Sequence, residues 1–364
     1  MATHNAANER VKRDYFAFLE HAKGRDTATI DRVAKSLVRF EETTGHRAFA
    51  KFRREQAIAF KRRLADQSSA HSGERLSKAT QQSTLRDLKA FFEWLAREPG
   101  FAAKIAYIDA DYFNLSEKDA AIARTKRERP FPELMQIEAA LVAMPATTPL
   151  ERRDRALIAF TTITAVRVNA LRTLRLGHVD TKRGHVDQDA RTVATKFGKT
   201  IGTVFMPVSD MATAIVREWC SELREQHGWG MADPLFPATA MGLSATGEFE
   251  PQGLARKHWQ STGPIRDVFR RAFAAADLPY FNPHSFRHTL VHHAMRLELG
   301  PEAMKAWSQN LGHASVLTTF TSYGNVPAHR QGELIRAVGA QTIKDPLDDP
   351  DIRALIGKIR AKAS

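Results

Sequence analysis

The sequence predicts a mainly α chain of the α+β class, with an N-terminal helical bundle followed by a second, mostly helical domain that carries a small antiparallel sheet. Three observations lead there. Between residues 9 and 95 apolar side chains recur at helical spacing in four segments. Two short segments between 191 and 208 alternate with period two instead. Residues 111–131 lose periodicity and turn polar and basic, as a linker does. A length of 364 residues also favours two cores over one.

Val11, Tyr15, Phe18 and Leu19 share one stripe of a helix over 9–22, and Ile30, Val33, Ala34, Leu37 and Val38 mark a second over 27–44, closed by Gly45. Ala57, Phe60 and Leu64 give a third over 55–66, with Lys61, Arg62 and Arg63 turned partly outward. After a small polar loop, Ser77 caps a long helix carrying Gln81, Leu85, Leu88, Phe92 and Leu95, which stops at Pro99 and Gly100. These four make the bundle of a first domain, 1–110. The linker, 111–131, ends in the run Arg124, Lys126, Arg127 and Arg129. In the second domain, 132–340, helices are predicted over 132–143 and 154–164, and Arg167 stands on the rise of another. Segments 191–195 and 203–208 read as a hairpin with Lys196 and Lys199 at its turn. A helix over 209–226, a long irregular excursion over 228–262 and a helix from Pro264 to Ala276 follow. In the tail, 341–364, Ile352, Leu355, Ile356 and Ile359 form a narrow apolar stripe that wants a partner in this chain or a neighbouring protomer.

Composition narrows the function. Hydrophobic residues at 43% and charged residues at 26% describe a folded chain, and a formal charge of +13 with a pI near 9.9 favours an anionic polymer as partner. Residues 1–129 hold 26 Lys and Arg against 18 Asp and Glu, so the front of the chain has the stronger electrostatic grip. Arg62, Arg63, Lys78, Arg86, Arg124, Lys126, Arg127 and Arg129 are the candidate contacts to double-stranded DNA. A single cysteine, Cys220, excludes an intrachain disulfide and a cysteine-built metal cage. The sequence has no apolar run behind Met1 and no stretch of ~20 apolar residues, so neither a signal peptide nor a membrane span is expected. A cytoplasmic protein fits.

The chemistry concentrates in 282–325, NPHSFRHTLVHHAMRLELGPEAMKAWSQNLGHASVLTTFTSYGN. His284 and Arg287 lie on one helical turn, Gly312 permits a tight turn that aims His313, and Tyr323 follows. Cationic and proton-sharing groups hold a phosphate, and a phenol attacks it once deprotonated. Singly, each residue has a blander reading: lone arginines are mostly surface residues, and buried tyrosines mostly satisfy their hydroxyls. His288 and His292 are one turn apart, yet Thr289 stands where the zinc-hydrolase pattern needs glutamate, and no metal or cofactor is expected. Trp307 reads as core.

In this order and context the residues resemble the tyrosine recombinases of the phage-integrase family, over roughly residues 10 to 335. The resemblance implies a helical core-binding domain and a catalytic domain with a small sheet. It also implies that Arg167 and Arg287 clamp the scissile phosphate, that His284 and His313 are the active-site histidines, that Lys196, in preference to Lys199, protonates the leaving 5′ oxygen, and that Tyr323 is the nucleophile. Metal and ATP are then unnecessary, and four protomers assemble on DNA, with the tail as a contact between them. Two departures stand out: Ala170 replaces a carboxylate common in the family three residues after the first arginine, and Tyr323 follows His313 by 10 positions, one more than usual. The rival readings are a DNA-binding architectural or regulatory protein that keeps the fold without the chemistry, and a type IB topoisomerase-like enzyme. The DNA site, the direction of the reaction, the kind of mobile element and any accessory proteins are not written in the sequence.

Overall fold

Many helices of this chain begin at a side chain that accepts an otherwise unpaired backbone N–H. Asn5, Asp26, Ser77, Ser116, Thr148 and Ser209 each do so. The computed structural model describes residues 4–69, 73–125, 130–244, 246–297, 299–313, 315–322, 331–333 and 335–336. It divides into two units, 1–126 and 127–364.

The first unit contains α1 (Ala6–Ala17, prolonged by a π turn over Phe18–Ala22), α2 (Thr27–Thr44), α3 (Arg54–Asp66), α4 (Lys78–Leu95) and α5 (Glu117–Arg124). Its core is aromatic. Phe52 stacks on Phe92 with ring centres 3.9 Å apart and on Phe113 at 5.6 Å, while Phe40 meets Phe60 and Phe92 edge-on. Charge enters this core only in satisfied form: Glu41 accepts from Asn8 (2.9 Å) and Lys12 (2.8 Å).

Phe113 and Ala110 are buried in that core, which corrects the expected linker. Residues 107–113 form a 3₁₀ turn, α5 packs on α4, and Asp119 pairs with Lys78 at 2.9 Å. The apolar pair is too sparse to give a helical period, so the sequence pattern reads it as connection.

The second unit is organised on α7 (Pro149–Thr164), whose residues 156–164 are all buried. Around it pack α6 (Leu134–Ala143), α9 (Asp210–Glu225) and α10 (Gly263–Ala274). A run buried on every side has no solvent face to repeat, and α7 accordingly begins earlier than its apolar stripe, at a capping box of Thr148 and Glu151 with Pro149 at the first position. Arg152 on α7 holds Glu222 on α9 through two bonds of 2.7 and 3.0 Å. Further helices are α8 (Val168–Thr173), α11 (Ser285–Arg296), α12 (Pro301–Asn310) and α13 (Val316–Ser322).

The sheet is antiparallel in the order β1 (Val179–Asp180), β2 (His185–Gln188), β3 (Ile201–Val204), with His185 opposite Val204 and Gln188 opposite Ile201. The expected strand at 191–195 is a turn instead. Asp189 accepts the Arg191 N–H at 3.0 Å and grips its guanidinium, which ends β2 and spends the alternating residues on a loop. The predicted second strand, 203–208, survives only as its first part, because the Met206 N–H leaves the sheet for the Ile163 carbonyl at 2.8 Å. The excursion over 228–262 is also more ordered than expected. It contains a two-stranded ribbon, β4 (Ala238–Leu243) and β5 (Phe249–Ala255), with a bulge at Ala240 and Met241. Among the described residues no helix is long and apolar enough to cross a membrane.

Candidate active site

Three segments of the second unit deliver the cationic residues. The first is the end of α7. Thr161, Thr162 and Thr164 return their hydroxyls to carbonyls one turn back, at 2.8, 2.9 and 2.6 Å, so this polar stretch stays buried without orphaned groups. Ala165 then takes a left-handed conformation, φ 46°, which breaks the helix. Arg167, half-buried, follows as the N-cap residue of α8.

The second segment is α11. His284, exposed, is its N-cap residue, with its backbone N–H held by the Asn282 side chain at 2.9 Å. Arg287 lies one turn inward and is 2% exposed. Its guanidinium donates to the Ala165 carbonyl at 2.9 Å and to the Leu311 carbonyl. Two backbone acceptors from two other segments fix the plane of the fork.

The third segment is the turn after α12. Gly312 has φ 68°, and a Cβ there would stand 2.8 Å from Ile201 on β3. The positive φ favours glycine, and a Cβ would also press on the end of the Ile201 side chain. Asn310 clamps the same strand from the helix end, exchanging bonds with the Val204 N–H (2.6 Å) and carbonyl (2.8 Å). His313 follows, buried, with its Nδ1 2.9 Å from Thr319 Oγ1 on α13. Burial pushes its pKa down to about 4, helped by the positive charges of Arg287, Arg167 and His284. The structure therefore brings Arg167, His284, Arg287 and His313 into one electrostatic neighbourhood. An apolar layer of Ala165, Met206, Leu290, Val291 and Leu311 lies beneath it, where weak screening strengthens each charge.

The other expected residues are placed less closely. Lys196 is on the exposed loop between β2 and β3, its ammonium 4.8 Å from the centre of the Phe197 ring. Phe197 is 81% exposed at φ 62°, an unusual pairing for an aromatic residue. Lys199 is exposed on the same loop. Tyr323 lies outside the described residues, as do Lys126, Arg127, Arg129 and the tail stripe. Arg62, Arg63 and Arg86 are exposed on the first unit, Lys78 is engaged by Asp119, and Arg124 bonds back to the Ala120 carbonyl at 3.1 Å. Ala170 is buried in the main core and Asn169 is exposed, so at Ala170 a methyl packs where a carboxylate would need a buried partner. His288 and His292 face the Phe131 ring, at 6.3 and 4.4 Å. Among the described residues no three His, Cys, Asp or Glu side chains are placed to hold a metal ion.

Sequence reasoning missed Thr319, Ser308, Asn310 and the Ala165 carbonyl. Their roles depend on which elements meet. No local spacing signals them.

As a chemical device the site offers guanidinium forks and imidazoles over an apolar floor, which suits an anion with several oxygens, such as a phosphodiester. Residues 133–330 match the model described as the phage integrase family. The tyrosine recombinase XerC of Xylella fastidiosa (strain M23) is 24% identical over 313 residues, covering 85% of this chain and 90% of the relative. A lambda integrase dimer bound to a COC′ core site superposes with a TM-score of 0.58 at 14% identity, over 88% of this chain and 96% of that one. The Tn1549 transposon integrase in complex with transposon right-end DNA does so with 0.58 at 14%, over 90% and 99%. At such identities the superpositions speak for the fold.

Proposed function

Because the chain belongs to the phage integrase family, and so to the tyrosine-type site-specific DNA recombinases, we propose that it cuts and rejoins DNA strands through Tyr323. The observation that carries this reading is the convergence of Arg167, His284, Arg287 and His313 around a guanidinium fixed by two buried carbonyls.

In the proposed reaction Arg167 and Arg287 hold the non-bridging oxygens of the scissile phosphate, and His313 adds a hydrogen bond. The Tyr323 phenol gives its proton to His284, and the oxygen attacks phosphorus. The bond to the 5′ oxygen breaks as Lys196 supplies a proton to it, leaving a 3′-phosphotyrosyl bond and a free 5′ hydroxyl. The phosphodiester's energy is kept in that bond, so the reverse attack by a 5′ hydroxyl reseals the strand without ATP. The arginines supply the positive charge that divalent metals provide elsewhere. Lys196 reaches the leaving oxygen in this scheme by movement of its exposed loop.

The first unit, with Arg62, Arg63 and Arg86 outward, is proposed to grip the duplex backbone. Exchange between two duplexes takes four protomers, and a lambda integrase tetramer bound to a Holliday junction has this fold, with a TM-score of 0.54. Integration or excision of a mobile element, in the cytoplasm, is the process we assign.

Incubation with nicked DNA of candidate element ends, in EDTA, tests the reading. A covalent protein–DNA adduct is expected, and Tyr323→Phe removes it. Absence of an adduct at every cognate end overturns the reading in favour of a binder without chemistry, and relaxation of plasmids without sequence preference favours a topoisomerase.

A further inference from the structure

Thr319 does not behave like the buried threonines of α7. Thr161, Thr162 and Thr164 return their hydroxyls to the carbonyl four residues back. Thr319, fully buried on α13, instead turns its hydroxyl sideways, 2.9 Å from His313 Nδ1 and 2.8 Å from Ser308 Oγ. Ser308 also accepts the His313 backbone N–H through its carbonyl, at 3.1 Å. The histidine is thus held at its backbone and at its ring by the same serine, once directly and once through Thr319.

The proton count on this chain of hydroxyls is restrictive. Thr319 Oγ1 has one hydrogen and donates it to Ser308 Oγ. Toward the imidazole it therefore accepts, so Nδ1 must carry the hydrogen. A neutral imidazole has one N–H, which leaves Nε2 as a lone pair.

We infer that Thr319, anchored by Ser308, is a positioning residue that holds His313 as the Nδ1–H tautomer and ties its ring to the segment leading to Tyr323. The catalytic half of this inference rests on the function proposed above. A neutral ring adds no third charge beside Arg167 and Arg287 while the pocket lacks an anion. When a phosphate enters, Nε2 takes a proton from solvent and donates it to a phosphate oxygen, while Nδ1–H remains on Thr319. No other bond changes. Tyr323 follows Thr319 by four residues, so one hydrogen bond sets both the phosphate ligand and the start of the nucleophile's segment. Burying two hydroxyls here, where two methyl groups would pack at lower cost, is what a positioning role requires and packing alone does not.

The test uses the full chain with its histidines labelled in the ring nitrogens, and Thr319→Val, Thr319→Ser and Ser308→Ala beside it. Long-range nitrogen–proton correlation, with His313→Gln to assign the ring, should find Nδ1–H in the wild type and Thr319→Ser, and a mixture of tautomers in Thr319→Val. Single-turnover cleavage of the nicked DNA, followed from roughly pH 5 to 9, should fall about 10- to 100-fold in Thr319→Val with its acid limb displaced. Thr319→Ser should recover to within about threefold. An Nε2–H tautomer in the wild type overturns the inference, as does wild-type cleavage with an unmoved pH profile in Thr319→Val. Should Thr319→Val not fold, Ser308→Ala and the wild-type tautomer decide. If no protein forms an adduct, the proposed function fails, and the tautomer measurement still judges the structural half.

Discussion

Arg287 shows how much of a side chain's environment is invisible in its motif. The His-x-x-Arg spacing identified it, but its two acceptors belong to Ala165 and Leu311, residues whose side chains are unremarkable. Lysine at this position keeps the charge and cannot reach both carbonyls in one plane. Arg287→Lys should therefore lose at least ~100-fold in adduct formation and about 1–3 kcal/mol of stability in urea denaturation. Retention of either would mean that the two carbonyls do not hold the fork. His313 makes a prediction about pH. Its folded value of about 4 lies below the ordinary 6.5, so between these the unfolded chain binds a proton that the folded chain refuses. Above that window the group costs nothing, and as pH falls through it the fold is progressively destabilised. Melting temperatures of the DNA-free protein should drop over that range, and His313→Gln should flatten the drop. Arg167, His284, Arg287 and His313 could be picked out as candidates because their order and spacing are local. Thr319 and Ser308 could not, since a hydroxyl's partner is decided by how α12 and α13 cross.

At the scale of elements, the turn at Gly312 is where helix and sheet are fitted to each other. Gly312→Ala meets a positive φ and the Ile201 side chain together, and should cost about 1–3 kcal/mol, read from urea midpoints. Adding Ile201→Ala removes only the steric part, so the double variant should be more stable than the sum of the singles predicts. A strictly additive pair would show that the clash is relieved elsewhere. Helices with a solvent face, such as α2 and α4, were predicted almost to the residue, because burial on one side writes a period. The hairpin around Lys196 was misplaced because alternation over 191–195 is the same signal whether a strand pairs or a turn intervenes. Asp189 was the overlooked residue: its side chain captures the next turn and stops the strand at Gln188.

For the whole molecule, two separate cores mean that the first unit should stand alone. A chain of residues 1–126, which includes Phe113 and α5, is expected to unfold cooperatively. One ending at residue 106, without Phe113, should melt lower or not fold, as judged by circular dichroism. If Arg62 and Arg63 meet phosphates as proposed, replacing both with alanine lowers affinity for unrelated DNA sequences alike. It also reduces the salt slope of binding by about two. An unchanged slope would move the electrostatic grip elsewhere. The division into two parts was legible from length and from the polar stretch. Its boundary was not, because the last pieces of the first core carry too few apolar residues to announce themselves.

The β4–β5 ribbon has a practical consequence. Its distal face presents Met241, Leu243 and Phe249 to solvent, 53%, 61% and 76% exposed, while at its root the Ala238 N–H already bonds the Lys257 carbonyl at 2.8 Å. Chain ends that close together make the ribbon a cassette. It can be cut back to a short turn, or exchanged for a fluorophore-binding or affinity peptide, with almost no change in the entropy of closing the loop. Such a port lets single molecules be watched or tethered without touching the residues proposed to handle phosphate.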